Sequence, residues 1–434
     1  MDPVSDHSTT LRAVPAGSRQ NGASRGPVYP RPVSEVRTGG APRTNQPAPA
    51  LPSVGLAVGW YDPENPAVWS GAPRALVDQL SRLGVYGGYR DAIPWPPAAH
   101  AARMVLRASG RLDEGWVLSA EMRTMARATQ LAKRLRTPRG VDAWVQIMGA
   151  FGPIVRGDYV TLSELSPSQI AGEEQWWSSF GYPGARRRGM DWVARQQLVA
   201  LHGARACCAV SQWAADGLVR DGVDPRKIHI VGYGRNIDIP PPAARDWSVP
   251  RFLFVGNDWR RKNGDAVVRA FARLRREVPN AQLDLVSDHP EIDVEGVVGH
   301  GRLTKKGPFA AFDPDARGRF EELFVNATCL VVPSLIEPFG LAYVEAAGAG
   351  LASIAGSSGG TDTSVGEGGI IVDPHDDDAL YGAMRRMADP ATAQALGDVA
   401  RRRADRLTWR AYGERVVRSL ELPQFATMEL AELL

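Results

Sequence analysis

Short apolar runs alternate along the chain with longer segments in which apolar residues recur every three or four positions. The run Val54–Val58 (VGLAV) is an example of the first pattern. Short apolar runs between turn residues predict buried strands, and the longer periodic segments predict amphipathic helices. Their alternation predicts an α/β protein in which helices cover both faces of parallel sheets.

Two blocks of this alternation occur, one on each side of a proline-rich stretch. The first block predicts six strands, at Val54–Val58, Val85–Tyr89, Ala143–Met148, Tyr159–Leu162, Ala206–Val210 and Lys227–Val231. It also predicts helices between Pro73 and Gly84 and over 97–108, 119–137, 186–202 and 212–220, the last with Ser211 as its N-cap. Residues 239–250 (IPPPAARDWSVP) contain four prolines and no apolar period, which is typical of a linker.

The second block begins directly after this linker. It predicts strands at Phe252–Val255, 282–286, 296–299, 328–333, 352–355 and 369–372. Helices are predicted after Gly264, over 376–388 and over 391–420. Asp376, Asp377 and Asp378 are interpreted as favourable charges at a helix start and not as a metal site.

These patterns predict the organisation of the whole chain. Residues 1–50 are rich in Pro, Gly, Ser and Arg and form a disordered tail. A first Rossmann-like domain covers 51–240, a linker 241–250 and a second Rossmann-like domain 251–405. Residues 406–434 form a C-terminal helix that crosses back onto the first domain.

Composition narrows the class of protein. Of 434 residues, 44% are hydrophobic, which is typical of a globular protein. The sequence contains no run of about 18 apolar residues and no visible secretory signal. Its three cysteines (207, 208 and 329) provide no disulfide framework, so a cytoplasmic location is the default expectation.

The charge pattern argues against a nucleic-acid-binding protein. The net charge is only +3, and acidic residues are interspersed among the many arginines without a recognition motif. The tail itself is basic. We interpret it as a solvated segment, and weak contact with an anionic membrane surface, which would place the protein at the inner face, is the alternative.

Residues 327–350 (ATCLVVPSLIEPFGLAYVEAAGAG) predict a strand, a tight turn and an Ala- and Gly-rich helix. Glu337 lies in the turn, and Glu345 follows in the helix with seven residues between them. Backbone N–H groups at a helix start bind anions and hydroxyls. The stretch therefore suits a polyhydroxylated ligand that carries phosphate, or else it is an ordinary strand–helix unit with two solvated acids.

Two further loops follow predicted strands. Arg261 and Lys262 lie just before a helix start, which suits a diphosphate, although a basic surface cluster is the simpler alternative. Gly71, in the loop after the first strand, would let a phosphate approach the backbone. Basic residues for phosphate and acids for vicinal diols together indicate a nucleotide-sugar.

The sequence resembles glycosyltransferase family 4, whose members are retaining enzymes with the two-domain GT-B fold. The resemblance extends over about 54–410. EPFGLAYVE at 337–345 matches the E-x7-E signature, and LFVGNDWRRKNGDAVVRAF is similar to the strand–loop–helix that holds the donor phosphates. WSGAPRALVDQL resembles the Gly-containing N-terminal loop of the family.

The resemblance implies a role for each candidate residue. Glu337 would bind hydroxyls of the donor sugar, and Glu345 would hold the ribose. Arg261 and Lys262 would neutralise the diphosphate, with no metal and no cofactor required. The remaining donor-binding positions act through the backbone and are Gly71, Leu303, Phe339, Gly340 and Leu341. The acceptor would be a sugar, a lipid or a small molecule.

The sequence also departs from the family pattern. The stretch after strand 143–148 contains no His, although many members have one there. The phosphate-binding Arg is either Arg260 or Arg261, because Asn257 occupies the usual position. A catalytically idle GT-B scaffold and a nucleotide-sugar epimerase remain as alternatives. Glu337 and Lys262 are expected in exposed loops, so that their substitution should not affect the fold.

Overall fold

The structure is a computed structural model, and it describes residues 51–59, 61–65, 68–92, 104, 120–147, 152–172, 187–303 and 314–426. The predicted tail and the predicted helix 97–108, apart from residue 104, lie outside these residues. Within the described part, twelve strands form two parallel sheets of six strands each. This arrangement confirms the predicted α/β class with two parallel sheets.

The first sheet has the order β2-β1-β3-β4-β5-β6. Its strands are β1 (Val54–Val58), β2 (Tyr86–Asp91), β3 (Ala143–Ile147), β4 (Tyr159–Ser163), β5 (Cys207–Ala209) and β6 (Ile228–Ile230). The helices between them are α1 (Ala72–Arg82), α2 (Ala120–Leu135), α3 (Pro167–Gly172), α4 (Arg187–Gly203) and α5 (Gln212–Arg220). Ser211 caps α5 as predicted, because its hydroxyl accepts a hydrogen bond from the N–H of Ala214.

The second sheet has the order β12-β11-β10-β7-β8-β9. Its strands are β7 (Arg251–Val255), β8 (Gln282–Val286), β9 (Val297–Gly299), β10 (Cys329–Val332), β11 (Ala352–Gly356) and β12 (Gly369–Val372). The helices of this half are α6 (Gly264–Glu277), α7 (Pro314–Asn326), α8 (Leu341–Gly348), α9 (Thr361–Ser364), α10 (Asp377–Met387) and α11 (Pro390–Ala404).

Both sheets reverse their strand order beside the first strand of each half. In the second sheet, β7 lies between β10 and β8, so the loops after β7 and β10 leave the same edge side by side. Ligands of open α/β sheets bind at such switch points. The topology therefore brings together two loops that are separated in the described chain by three strands (β8, β9 and β10) and two helices (α6 and α7).

The C-terminal residues complete the first half of the molecule. Helices α12 (Trp409–Ser419) and α13 (Pro423–Ala426) follow α11. Tyr412, Val416 and Val417 are buried in one apolar cluster with Val54 and Leu56 of β1. The last helices thus pack against the sheet that the chain forms first.

The predicted elements differ from the structure in several places. The segment predicted as one helix over 391–420 is two helices, because Thr408 starts a new helix by accepting a hydrogen bond from the N–H of Ala411. Helices α3, α7 and α9 were not predicted; in α7 the polar and apolar residues are weakly segregated around the helix axis, and α3 and α9 have only six and four residues. Strand β2 begins one residue later than predicted and extends to Asp91, since its pattern YGGYRD lacks an apolar run.

Of the helices that the structure describes, none is both long enough and apolar enough to span a bilayer.

Candidate active site

Glu337 lies in the loop between β10 and α8, and backbone hydrogen bonds fix this loop against the segment after β11. The N–H of Glu337 donates to the carbonyl of Ser358 (3.0 Å), and the N–H of Gly360 donates to the carbonyl of Glu337 (2.8 Å). Gly359, with φ +118°, passes so close that a Cβ there would lie 2.0 Å from the Glu337 carbonyl oxygen. Only glycine fits this crossing.

The carboxylate of Glu337 meets both candidate cations of the loop after β7. Lys262 Nζ donates to Oε2 of Glu337, and Arg261 Nη1 lies 3.4 Å from the same oxygen. Arg261 also donates to the carbonyl of Ile336 (3.1 Å), and the Ser334 hydroxyl lies 3.4 Å from Oε2. The three residues predicted to be catalytic therefore form one cluster at the switch point of the second sheet.

The cluster is buried, which corrects the expectation that Glu337 and Lys262 lie in exposed loops. Glu337 is 7% exposed, and the side chain of Lys262 is 12% exposed. Burial alone would raise the pKa of Glu337, but the charges of Lys262 and Arg261 outweigh it and hold the pKa below its usual value. Glu337 is therefore a carboxylate at neutral pH.

The charges of this cluster largely balance one another. Arg261 also lies 3.7 Å from the carboxylate of Asp258, so two cations face two carboxylates. The neighbouring Arg260 is exposed, and its guanidinium forms no hydrogen bond or ion pair within the described part of the chain, although its backbone carbonyl accepts from the N–H of Asn263 (3.0 Å). Arg260 and Arg261, the two candidates for the phosphate-binding arginine, thus both lie in the loop after β7. Only the guanidinium of Arg261 forms ion pairs there.

Glu345, the second acid of the E-x7-E spacing, lies on α8 and is 7% exposed. Burial raises the pKa of its carboxyl to about 8, although a hydrogen bond from the backbone N–H of Asn236 lowers it. Among the described residues, no cation acts on Glu345 as Lys262 and Arg261 act on Glu337, and this accounts for the opposite directions of the two pKa shifts.

Asn236 links Glu345 to the loop that contains Gly71. Its side-chain amide donates to the carbonyl of Ser70 (2.8 Å), and its Oδ1 accepts from the indole N–H of Trp409 (3.2 Å). One residue thus connects the loop after β1, the acid of α8 and the C-terminal helix α12. No local pattern in the sequence could identify this role, because Asn236 and Ser70 are 166 positions apart.

The Gly71 loop has an unusual backbone. Trp69 (φ 48°), Ser70 (φ 52°) and Gly71 (φ 88°) are all left-handed, and Gly71 directly precedes α1. Left-handed backbone is uncommon for residues other than glycine and is found where the surrounding structure enforces it. The surrounding structure therefore holds this loop in a defined conformation at the carboxyl edge of the first sheet.

The remaining predicted donor-binding residues divide into two groups. Phe339, Gly340 and Leu341 form the start of α8, where Gly340 is the N-cap and the first N–H groups have no acceptor within the helix. Phe339 is buried against the ring of Tyr233, with centroids 5.5 Å apart. Leu303 is buried in the apolar core of the second half.

The segment with both acids also contacts the first half. Ile336 is buried in an apolar cluster of the first sheet, and Phe339 and Val344 are buried in another. The sequence predicted Gly71 as the one donor-binding position in the first half and all the others in the second half. In the structure, the same segment forms part of the boundary between the two halves.

Comparison with known proteins agrees with this architecture. The family described as glycosyl transferases group 1 matches residues 249–389. A curated alpha-maltose-1-phosphate synthase of Mycobacterium tuberculosis (H37Rv) is 30% identical over 215 residues, which is 45% of this chain and 54% of that protein. A D-inositol 3-phosphate glycosyltransferase of Nocardiopsis dassonvillei is 29% identical over 231 residues, covering 47% and 51%.

The chain thus spans about half the length of the curated relatives it matches. Among solved structures, the sucrose-phosphate synthase of Thermosynechococcus elongatus aligns with a TM-score of 0.56 at 19% identity, over 84% of this chain and 97% of that one. At this identity the likeness concerns the fold. The protein therefore has the GT-B fold, and its residues 249–389 match the model of the glycosyl transferases group 1 family.

Proposed function

We propose that the protein is a retaining glycosyltransferase of the family 4 type, which transfers a sugar from a nucleotide-diphosphate sugar to a sugar, lipid or small-molecule acceptor. The main support for the proposal is that Lys262 and Arg261 form ion pairs with Glu337 at the switch point of the second sheet. It is supported by the match of residues 249–389 to glycosyl transferases group 1.

In this proposal the start of α8 binds the donor. The N–H groups of Phe339, Gly340 and Leu341 meet the sugar and the diphosphate, because a helix start attracts anions. Glu337 accepts hydrogen bonds from sugar hydroxyls, and its ionised state suits that role. Glu345 holds the ribose, and Gly71 lets the diphosphate approach the backbone of the first half.

The chemistry follows from where charge develops. The bond from the anomeric carbon to the diphosphate breaks, the sugar becomes oxocarbenium-like, and negative charge grows on the departing phosphate. Lys262 and an arginine stabilise that charge in a water-poor site without a metal ion. Retention results when the acceptor oxygen attacks the face from which the diphosphate leaves, and the diphosphate takes the acceptor's proton.

Two neighbouring residues, Arg260 and Arg261, are candidates for the arginine that stabilises the departing diphosphate. Arg261 is paired with Asp258 and Glu337, and it holds Glu337 in place. Arg260 is exposed and unpaired within the described residues. We propose that Arg261 orients the carboxylate and that Arg260 is available to the diphosphate.

The test is transfer by the purified full chain. A panel of UDP-, ADP- and GDP-sugars is incubated with sugars, phosphosugars, inositols and lipid extract, and products are resolved by mass spectrometry and NMR. We expect one donor to yield a product whose anomeric configuration is that of the donor. The Glu337→Gln variant should lose this activity, while Glu367→Gln, at an exposed position, should keep it.

The alternatives give different results in the same assay. An idle scaffold binds a nucleotide-sugar but yields no product with any acceptor. An epimerase converts the donor without an acceptor. An inverted product would contradict the retaining mechanism and leave glycosyl transfer in place.

A further inference from the structure

A third acid, which the sequence analysis did not consider, lies on the first-sheet side of the site. Glu164 directly follows β4, at the carboxyl edge of the first sheet, and is half-buried. Tyr233 donates its hydroxyl to Oε1 of Glu164 at 3.0 Å. The ring of Tyr233 packs in turn on Phe339, next to Glu337 in the loop of the second half.

The position of Glu164 places it within electrostatic reach of the Glu337 cluster. Burial raises the pKa of Glu164 to about 7; the hydrogen bond from Tyr233 lowers it, the charge of Glu337 raises it, and that of Arg261 lowers it. Glu164 itself forms no ion pair with another residue in the described ranges. The two acids therefore approach one region from opposite sheets, and only Glu337 is neutralised by bonded cations.

Two buried tyrosine hydroxyl groups lie within electrostatic reach of this acid. The hydroxyls of Tyr61 and Tyr412 are buried and have no hydrogen-bond partner among the described residues. Both lie close enough to Glu164 for its charge to add to the effect of burial, and both tyrosines have a raised pKa. A buried hydroxyl without a partner costs about 1–3 kcal/mol, so the cluster is suited to receiving additional polar groups.

The charge of this region selects the kind of group that can bind there. An ionised carboxyl group without a bonded cation repels a diphosphate, and a carboxyl group in either protonation state forms hydrogen bonds with hydroxyls. The diphosphate must therefore lie towards Arg260, Lys262 and the start of α8, which leaves the sugar ring towards Glu164. A sugar in that place would have one carboxyl group on each side.

We propose that Glu164, positioned by Tyr233, contacts a hydroxyl group of the transferred sugar and helps to determine which sugar the enzyme accepts. This inference rests on the proposed function, and it assigns the first sheet a part in donor recognition. Tyr233 acts through Glu164 and is a positioning residue.

The test compares Glu164→Gln and Tyr233→Phe with the wild-type protein. Tyr233→Phe keeps the ring against Phe339 and removes only the hydroxyl. The matched control is Tyr159→Phe, which also removes a buried hydrogen bond of the first half, from Tyr159 to the carbonyl of Ala200 (2.8 Å). Thermal unfolding verifies that each variant is folded.

Binding is measured by calorimetry with UDP-glucose, ADP-glucose and GDP-mannose and with UDP, ADP and GDP alone. We expect Glu164→Gln to weaken binding of the preferred nucleotide-sugar, or its kcat/KM, about 10-fold or more, the scale of one lost charged hydrogen bond. Affinity for the nucleoside diphosphate should not change. Tyr233→Phe should have a smaller effect in the same direction, and Tyr159→Phe none.

Two further measurements distinguish a role of Glu164 in sugar recognition from a purely structural role. Discrimination between donors that differ at one hydroxyl should shrink in Glu164→Gln. The wild-type rate should show an ionisation near pH 7 that Glu164→Gln lacks.

Equal losses for nucleotide-sugar and nucleoside diphosphate, or unchanged donor discrimination, would overturn the proposal while transfer by the wild type still supports the glycosyltransferase function. If the wild type binds no nucleotide-sugar, the proposed function fails and this inference fails with it.

Discussion

Lys262 donates a hydrogen bond to the carboxylate of Glu337, although 75 positions separate the two residues. The pair forms because β7 and β10 are neighbours in the second sheet, so their following loops leave the same edge. Both side chains are buried, and each neutralises the other in a region of low dielectric constant. Structure and site chemistry therefore depend on the same contact.

Lys262→Ala should reduce both activity and stability. Loss of a buried partner leaves Glu337 with Arg261 alone, which costs about 3 kcal/mol of unfolding free energy. We expect kcat/KM to fall about 100-fold or more, because a charge that stabilises the departing phosphate is lost. Urea unfolding and transfer kinetics measure the two effects.

Two variants serve as controls for this prediction. Lys227→Ala removes a half-buried lysine whose ammonium bonds only the carbonyl of Ala204, and it should retain activity. The double variant Lys262→Met/Glu337→Leu should regain part of the stability but no activity, because apolar residues can replace a buried ion pair. Full activity in Lys262→Ala would contradict the site assignment.

Gly359→Ala should displace Glu337. A Cβ at this position would lie 2.0 Å from the carbonyl oxygen of Glu337, and the φ of +118° is itself unfavourable for alanine. We expect a loss of several kcal/mol in stability, on the scale of overpacking with backbone strain, together with loss of transfer. Gly382→Ala is the control, because a Cβ there meets no atom within 4 Å and lies on helix α10, where alanine is favoured.

Glu345→Gln should change how stability depends on pH. The folded pKa of about 8 lies above the ordinary value of 4.5, so the folded protein keeps a proton that the unfolded chain releases. Wild-type stability relative to the variant should therefore decrease as pH rises from 4.5 to about 8, and then become constant. The full change is on the order of 3 to 5 kcal/mol, since one pKa unit is about 1.4 kcal/mol.

Denaturant unfolding of both proteins at a series of pH values measures this difference. Parallel curves for wild type and variant would mean that the carboxyl of Glu345 is not held in a buried environment. If the stability of the wild type relative to the variant increased with pH, the sign would contradict a raised pKa of Glu345.

Asn236→Ala should loosen the Gly71 loop without unfolding the protein. The variant loses the hydrogen bond to the carbonyl of Ser70 and the one from Trp409, but keeps the backbone N–H that bonds Glu345. Hydrogen exchange at 68–71 should become faster, because the left-handed backbone there loses an outside contact. The KM for donor should rise about 10-fold if Gly71 meets the diphosphate, the scale of one lost hydrogen bond.

Asn236→Asp separates the two bonds of this residue, since it keeps an acceptor for Trp409 and loses the donor to Ser70. Exchange as slow as in the wild type would show that the loop is held by other contacts.

Much of this architecture was predictable from the sequence because its signals are local. The run VGLAV forms β1 with the predicted bounds, and Ser211 caps its helix as predicted. The E-x7-E spacing selected Glu337 and Glu345 as candidate site residues, and the structure places both in buried positions on the loop after β10 and on α8. Such features depend on a few adjacent residues, whose propensities act within one element.

The features that were missed depend on contacts between distant segments. The burial of Lys262 and Glu337 follows from strand order, which no local pattern encodes. Asn236 and Glu164 matter because of what faces them across the molecule, and each looks like an ordinary polar residue in its own segment. Helix α7 was missed for a different reason, because its apolar residues do not form a clear stripe.

Tyr412→Ala should destabilise the first half, because Tyr412 is fully buried against the core of β1 and α1. Removing a large buried aromatic side chain costs about 3–5 kcal/mol. Arg410→Ala, at an exposed position of the same helix, should have little effect. Equal stability of the two variants in urea unfolding would contradict the packing of α12 on the first sheet.

The packing of α12 on β1 also has a consequence for how the protein is made. The first sheet is synthesised early, but its apolar cluster includes Tyr412, Val416 and Phe425. All strands and helices of the second half, from β7 to α11, are therefore synthesised before the core of the first half can close. During that interval the nascent chain exposes a face of β1 and α1, which would make it a client for chaperones during translation.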